Sequence, residues 1–356
     1  MINLYSIRPK GFNIGNDVIY VGVNHFIRMA FKKNFNVISL PATGKYENQR
    51  KSGITPQTVY EINQFGHGLI IGGGNLYENN ELEVNPIALS ALEKPMMIFS
   101  VARGKIYNKQ LDMVDRTDVM PDDKIKILNK KADISLSRDK ATYNYIRDLG
   151  IKNELGGCPT LFINEIPQHF VPMLDTDITD ALISVRTPNL MSIPVIFQYS
   201  MREDVIRLID LLKIKGYSNV KILCHDHRDI PFAASFGNVE YIYTEDVYTF
   251  LSYLRNTRLN VTYRLHSFIP CLSLGIPTIN IGYDQRAISM IDTLNISDWN
   301  INMCKDNVIQ EIQKRIDNIG DLESIKNHLK KTTWGELKAT MIDANNQFAK
   351  MVNDIL

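Results

Sequence analysis

The chain contains no apolar run approaching the roughly 18 residues that a membrane-spanning helix needs. Its first residues also lack the charged stretch followed by an apolar core that marks an export signal. A cytoplasmic protein is expected, with docking at the inner face of a membrane left open. An excess of one charge is missing as well, since 40 lysines and arginines stand against 39 aspartates and glutamates. A net charge of +1 gives no field that would draw the chain to nucleic acid, so any anion it binds must be held by local cations. Cysteine is scarce, and Cys158, Cys224, Cys271 and Cys304 lack C-x-x-C spacing, which argues against structural zinc and for reduced packing thiols. His225-Asp226-His227 brings two imidazoles close, but without H-x-x-x-H spacing or a third ligand, and no metal is expected. No G-x-G-x-x-G fingerprint, internal repeat or low-complexity tract occurs.

What is present is an ordinary folded composition, 44% hydrophobic and 22% charged, in 356 residues. That length exceeds a single core and predicts two domains. Short apolar runs alternate with amphipathic segments throughout, the pattern of parallel sheets covered by helices. In the first half the strands are Ile2–Ser6, Asn36–Leu40, Gly68–Ile71, Pro95–Val101 and Ala132–Leu136, with helices over Val18–Lys33, Asp122–Lys131 and Ser137–Leu149. Residues 45–52 read as a mobile loop, and residues 164–180 as the domain linker. The second half resumes with strands Ala181–Val185, Val220–Cys224 and Glu240–Tyr243 and helices Arg202–Lys215 and Asp246–Arg255. Beyond Asp306 the chain reads as helical to Leu356, a tail able to pack back across the first domain. The boundaries predicted are 1–170, 180–315 and 316–356.

The richest stretch runs from Leu259 to Leu294. A strand ends in Arg264-Leu265-His266, a helix with Ser267 near its start closes at Gly275, and a second strand from Pro277 ends at Tyr283-Asp284, with Arg286 beyond. In open parallel sheets ligands sit at the carboxyl ends of the strands, so these polar groups should converge on one crevice. Gly72-Gly73-Gly74-Asn75 follows a buried strand and would let backbone N–H groups approach an anion. Arg138 and Asp139 are expected to pair across the first turn of their helix.

Taken in order, these motifs resemble the polysaccharide pyruvyl transferase family, whose members have a fold similar to GT-B glycosyltransferases. The resemblance rests on Asn13-Ile14-Gly15-Asn16-Asp17, Ile71 through Asn75, Ser137-Arg138-Asp139, Ser184-Val185-Arg186, Cys224-His225-Asp226, Arg264-Leu265-His266 and Tyr283-Asp284-Gln285-Arg286. It spans about residues 11 to 295. Against the family pattern, Asn16 is an extra residue before the acid, Cys158 stands where an acid is common, and Arg286 replaces a lysine.

The resemblance implies two Rossmann-like domains facing across a cleft, phosphoenolpyruvate as donor, and a pair of sugar hydroxyls as acceptor, the product being a pyruvyl ketal. No cofactor is implied, because phosphoenolpyruvate is a co-substrate. The acceptor would be a glycan or a lipid-linked or nucleotide-linked sugar. Arg186, Arg264, Arg286 and Tyr283 are expected to bind the donor, the arginines through bidentate forks. His266 would be the acid that protonates the methylene carbon, with Asp17 orienting or deprotonating the acceptor hydroxyl. Asn13, Gly72, Gly73, Gly74 and Asn75 would contact the acceptor or form its loop. The rival readings are a glycosyltransferase using a nucleotide-sugar donor and a noncatalytic glycan-binding member.

Overall fold

Strands that are apolar along their whole length bury both faces, which forces helices onto each side of the sheet. In the computed structural model this produces two six-stranded sheets, both wholly parallel. The structure describes all residues except 33, 46–50, 170–175 and 177, so most of the loop expected at 45–52 and the middle of the linker expected at 164–180 lie outside the described residues.

The first sheet holds β1 (Ile2–Arg8), β2 (Phe35–Pro41), β3 (Gly68–Gly74), β4 (Met96–Val101), β7 (Ile134–Ser137) and β8 (Glu154–Leu155), in the order β2-β1-β3-β4-β7-β8. A short hairpin, β5 (Ile106–Tyr107) and β6 (Met113–Val114), follows β4. The second sheet holds β9 (Thr179–Ser184), β10 (Val220–Cys224), β11 (Tyr241–Tyr243), β12 (Thr257–Thr262), β13 (Thr278–Gly282) and β14 (Asn300–Asn302), in the order β11-β10-β9-β12-β13-β14. In the first sheet the chain reverses its winding between β1 and β3, and in the second between β9 and β12. Such switch points open crevices at the carboxyl edge.

Among the elements that differ from the sequence expectation, three have a plain physical reason. The first helix spans Ile14–Ala30 and starts earlier than expected, because the side chain of Asn13 caps it by accepting from the Gly15 amide. The helix expected from Arg202 begins at Val195; its first turn carries exposed Val195, Ile196 and Tyr199, so no buried stripe announces it. The three-residue strand β14 is too short to show a period.

One apolar cluster crosses between the domains. Phe26 and Phe99 of the first half pack with Phe268, Ile269 and Leu272 of the second and with Trp334, Met341 and Phe348 of the tail. The tail helix Thr333–Asp354 thus lies back on the first domain, as expected. The hairpin reaches the other way: Tyr107 is buried in the core of the second domain, its hydroxyl accepts from Asn302 Nδ2 at 2.7 Å, and Ile106 bridges to Asp284. These contacts fix the spacing of the two carboxyl edges. Among the described residues no helix is long and apolar enough to cross a membrane.

Candidate active site

Between the two carboxyl edges lies a cavity of about 280 Å³, lined from both domains. Its second-domain wall follows from register. Ser184 of β9 pairs with Thr262 of β12, and Arg186 and Arg264 each lie two residues further on, so their side chains leave neighbouring strands roughly 5 Å apart. Both line the cavity, and both lean on one carboxylate: Arg186 Nη1 is 3.5 Å from Asp229 Oδ1, and Arg264 Nη1 is 3.8 Å from Asp229 Oδ2. Arg186 also donates to Asp226 Oδ2 at 3.3 Å. Burial works against ionisation of Asp226, but hydrogen bonds and charge from Arg228, with Arg186 beyond, hold its carboxyl far below the usual range. The carboxylates therefore act as fixed struts behind the guanidinium groups.

His266 sits in the first turn of the helix Leu265–Leu274, at a residue with non-helical backbone (φ −88°, ψ 20°). Its Nε2 lies 3.8 Å from Cys158 Sγ. Gly15 makes room for it, because a side chain there would meet the His266 Cβ at 3.0 Å. Burial, and then the charges of Arg138, Arg264 and Arg286, push the imidazole well below its ordinary pKa and so favour the neutral ring.

Arg138 is a cation whose place in the cavity sequence reasoning did not anticipate, although its expected pairing with Asp139 is present. It lines the cavity at 2% exposure, and its Nε has no hydrogen-bond partner and lies 3.9 Å from Asp139. Asp139 is otherwise engaged: it caps its helix through the Thr142 amide at 3.1 Å and accepts from Ser289 Oγ at 2.8 Å. The expected pair is thus loose, and Arg138 presents its charge beside His266. A bulge at Ser100, where β4 shifts register against β7, lies next to the strand end that carries it. The signal was available, since Arg138 follows a strand in the same way as Arg186 and Arg264.

Tyr283, Asp284 and Arg286 also line the cavity. Arg286 is gripped by Asp284 and by Glu78, whose Oε2 is 3.0 Å away. Burial, offset in part by Arg286 and reinforced by Asp284, raises the Glu78 carboxyl to about 7.

The first-domain wall is built differently. Asn13 and Asn16 follow β1, and Asn75, Asn79 and Glu81 follow β3. Asn13 Oδ1 accepts from Arg264 Nη2 at 2.9 Å, and the Ile14 amide donates to the carbonyl of His225 at 2.9 Å, tying this loop to the facing domain. Asn80 takes a left-handed conformation (φ 48°), which asparagine tolerates, in the turn that carries Asn79 and Glu81.

Two expectations do not meet the cavity. Asp17 is absent from its lining; successive helical residues point about 100° apart, and with Asn16 on the cavity side Asp17 turns to Arg8, 2.8 Å away, in a separate recess. The extra Asn16 takes the place the acid was expected to hold. Gly72, Gly73 and Gly74 do not line the cavity either. They let the first helix approach the sheet: Gly73 has φ 65°, and a Cβ there would lie 2.2 Å from Ile19 Cγ2. Among the described residues no group of three or more His, Cys, Asp or Glu side chains could hold a metal ion.

Two Rossmann-like domains with a ligand-sized cleft between their carboxyl edges define the GT-B-like class. Solved structures share this fold: MnaA of S. aureus with UDP, at TM-score 0.56 and 10% identity over 92% of this chain and 91% of that one, and the UDP-GlcNAc 2-epimerase of Neisseria meningitidis bound to UDP-GlcNAc, at 0.54 and 12% over 95% and 100%. The UDP-GlcNAc 2-epimerase of Methanocaldococcus jannaschii in complex with UDP-GlcNAc and UDP gives 0.53 and 12% over 94% and 100%. No curated protein matches the chain. A family model described as polysaccharide pyruvyl transferase matches residues 13–285, and the chain belongs to that family of transferases.

Proposed function

We propose that the protein transfers the pyruvyl group of phosphoenolpyruvate to two hydroxyls of a sugar, forming a cyclic ketal and releasing phosphate. The observation that carries this reading is the convergence of Arg138, Arg186, Arg264 and His266 on one cavity. Phosphoenolpyruvate is small and bears a carboxylate and a phosphate, and planar guanidinium forks suit both groups.

Protonation of the methylene carbon makes the central carbon electrophilic. His266 is the acid: its charged form, suppressed by burial and three arginines, is favoured when the donor's negative charge offsets them. The first sugar hydroxyl bonds to the central carbon. Phosphate then leaves with the C–O bonding pair, its charge met by the arginines, and the second hydroxyl closes the ring. The acceptor is polymeric, lipid-linked or nucleotide-linked, and the reaction takes place on the cytoplasmic side.

Calorimetry with phosphoenolpyruvate, and separately with UDP-hexoses, tests the donor. Binding of phosphoenolpyruvate that is lost in Arg264→Ala is the expected result. Binding of UDP-hexoses with none of phosphoenolpyruvate would replace this reading with nucleotide-sugar transfer.

A further inference from the structure

We infer that Glu81, on the first-domain loop after β3, takes the proton from the attacking hydroxyl of the acceptor diol. This rests on the donor reading above and adds a base that the family motifs do not supply.

Four amides, Asn13, Asn16, Asn75 and Asn79, line the first-domain wall beside Arg116 and Arg138, and they stand at the switch point of the first sheet as Arg186 and Arg264 stand at that of the second. Amides both donate and accept, which suits hydroxyls. The Asn79 Oδ1 is buried with no hydrogen-bond partner, an acceptor a sugar hydroxyl would satisfy. Two carboxylates line the cavity: Asp284 is paired with Arg286, whereas Glu81, 8% exposed, has no ion pair among the described residues and accepts from Asn79 Nδ2 at 3.2 Å. A cavity-lining carboxylate left out of every ion pair among the described residues is placed to receive a proton. Burial also raises its pKa, which makes it a better proton acceptor than an exposed glutamate.

In the step proposed, the hydroxyl oxygen bonds to the central carbon as the C=C electrons take the proton of His266, and the hydroxyl proton passes to Glu81. When phosphate departs, Glu81 returns that proton to it, while the second hydroxyl gives its own proton to His266. Both residues regain their starting states. The acceptor loses two protons, one of which ends on the methyl group and the other on phosphate.

The test uses the full chain with phosphoenolpyruvate and a panel of p-nitrophenyl hexopyranosides bearing free diols, reading phosphate release and ketal product by mass. Glu81→Gln should bind phosphoenolpyruvate within about threefold of wild type and lose about 10²- to 10⁴-fold in kcat. Glu81→Asp should lose less than Glu81→Gln. Glu81→Ala, if it binds the donor, should regain turnover with added formate, which a merely structural role would not allow. Turnover of Glu81→Gln within tenfold of wild type would overturn the role of Glu81 and leave the donor reading intact. Wild type that binds phosphoenolpyruvate yet turns over no sugar of the panel would overturn a free sugar diol as the group that Glu81 deprotonates. Failure to bind phosphoenolpyruvate at all would sink the donor reading instead.

Discussion

The two walls of the cleft face each other from equivalent places in two similar sheets, yet only one of them carries a row of amides. On the second-domain wall, arginines stand at strand ends and are propped by buried aspartates, so their forks are held before any ligand arrives. The first-domain wall carries four asparagines and Glu81 on loops, beside Arg116 and Arg138. On the proposed function, the difference teaches how one topology divides labour: arginines held by aspartates stand where a small anion would be gripped, and amides stand where hydroxyls would be read. The largest effects should therefore come from the charged wall. Arg264→Ala, which strips one fork and leaves Asp229 less compensated, should weaken phosphoenolpyruvate binding by roughly 2 to 5 kcal/mol, a factor of roughly 30 to several thousand. His266→Ala should abolish turnover with donor affinity kept within about tenfold. Equal loss of binding in both variants would erase the division between gripping and proton transfer.

A second contrast lies within the first domain, between the glycines of β3 and the asparagine that follows them. Gly73 holds a left-handed backbone against Ile19, whereas Asn75, two residues on, lines the cavity. Gly73→Ala adds the cost of that backbone to the cost of overpacking, so stability should fall by on the order of 2–5 kcal/mol. Denaturant titration measures the loss. If the glycines instead cradled an anion, the variant would lose donor affinity with unfolding free energy unchanged.

The charged wall also predicts a proton linkage. In the free protein the His266 pKa lies well below 6.5, and a bound anion raises it. Binding therefore takes up a fraction of a proton between the two values, and affinity falls as pH rises from the free-state pKa to the bound-state pKa, then levels off. Calorimetry in buffers of different ionisation enthalpy reads the uptake directly. His266→Gln should lose this part of it, and an unchanged uptake would mean that the proton goes elsewhere.

Much of this was legible in the sequence because strands announce themselves by apolar runs and their ends by the first polar residue. Arg186, Arg264, His266 and Tyr283 all follow buried strands, and the structure places all four on the cavity lining. The tail's return over the first domain was also legible, from its unbroken helical pattern. What could not be read was direction. Arg138 and Asp139 looked like a closed pair, but the aspartate's hydrogen bonds to Thr142 and Ser289 join residues far apart in sequence as well as near. Asn79 and Glu81 sit in a turn without period, and nothing local shows that this turn meets the facing domain. The glycine run signalled close approach correctly but did not name the partner, which is Ile19 rather than a ligand.

The smallest predicted effect decides between Asn16 and Asp17, adjacent residues at the start of the first helix. Sequence alone favoured the acid, yet the helix begins at Ile14 and sends Asp17 to Arg8 while Asn16 lines the cavity. A half-exposed ion pair of this kind is worth about 1 kcal/mol or less. Asp17→Asn should therefore lower stability by no more than that and leave turnover within about threefold of wild type. Asn16→Ala should raise the acceptor KM while leaving phosphoenolpyruvate affinity unchanged, because its amide belongs to the row of asparagines on the first-domain wall. Should Asp17→Asn instead lose a hundredfold in kcat at unchanged stability, the helix would have to turn its next residue into the cleft during catalysis, and the base would sit at its first turn rather than after β3.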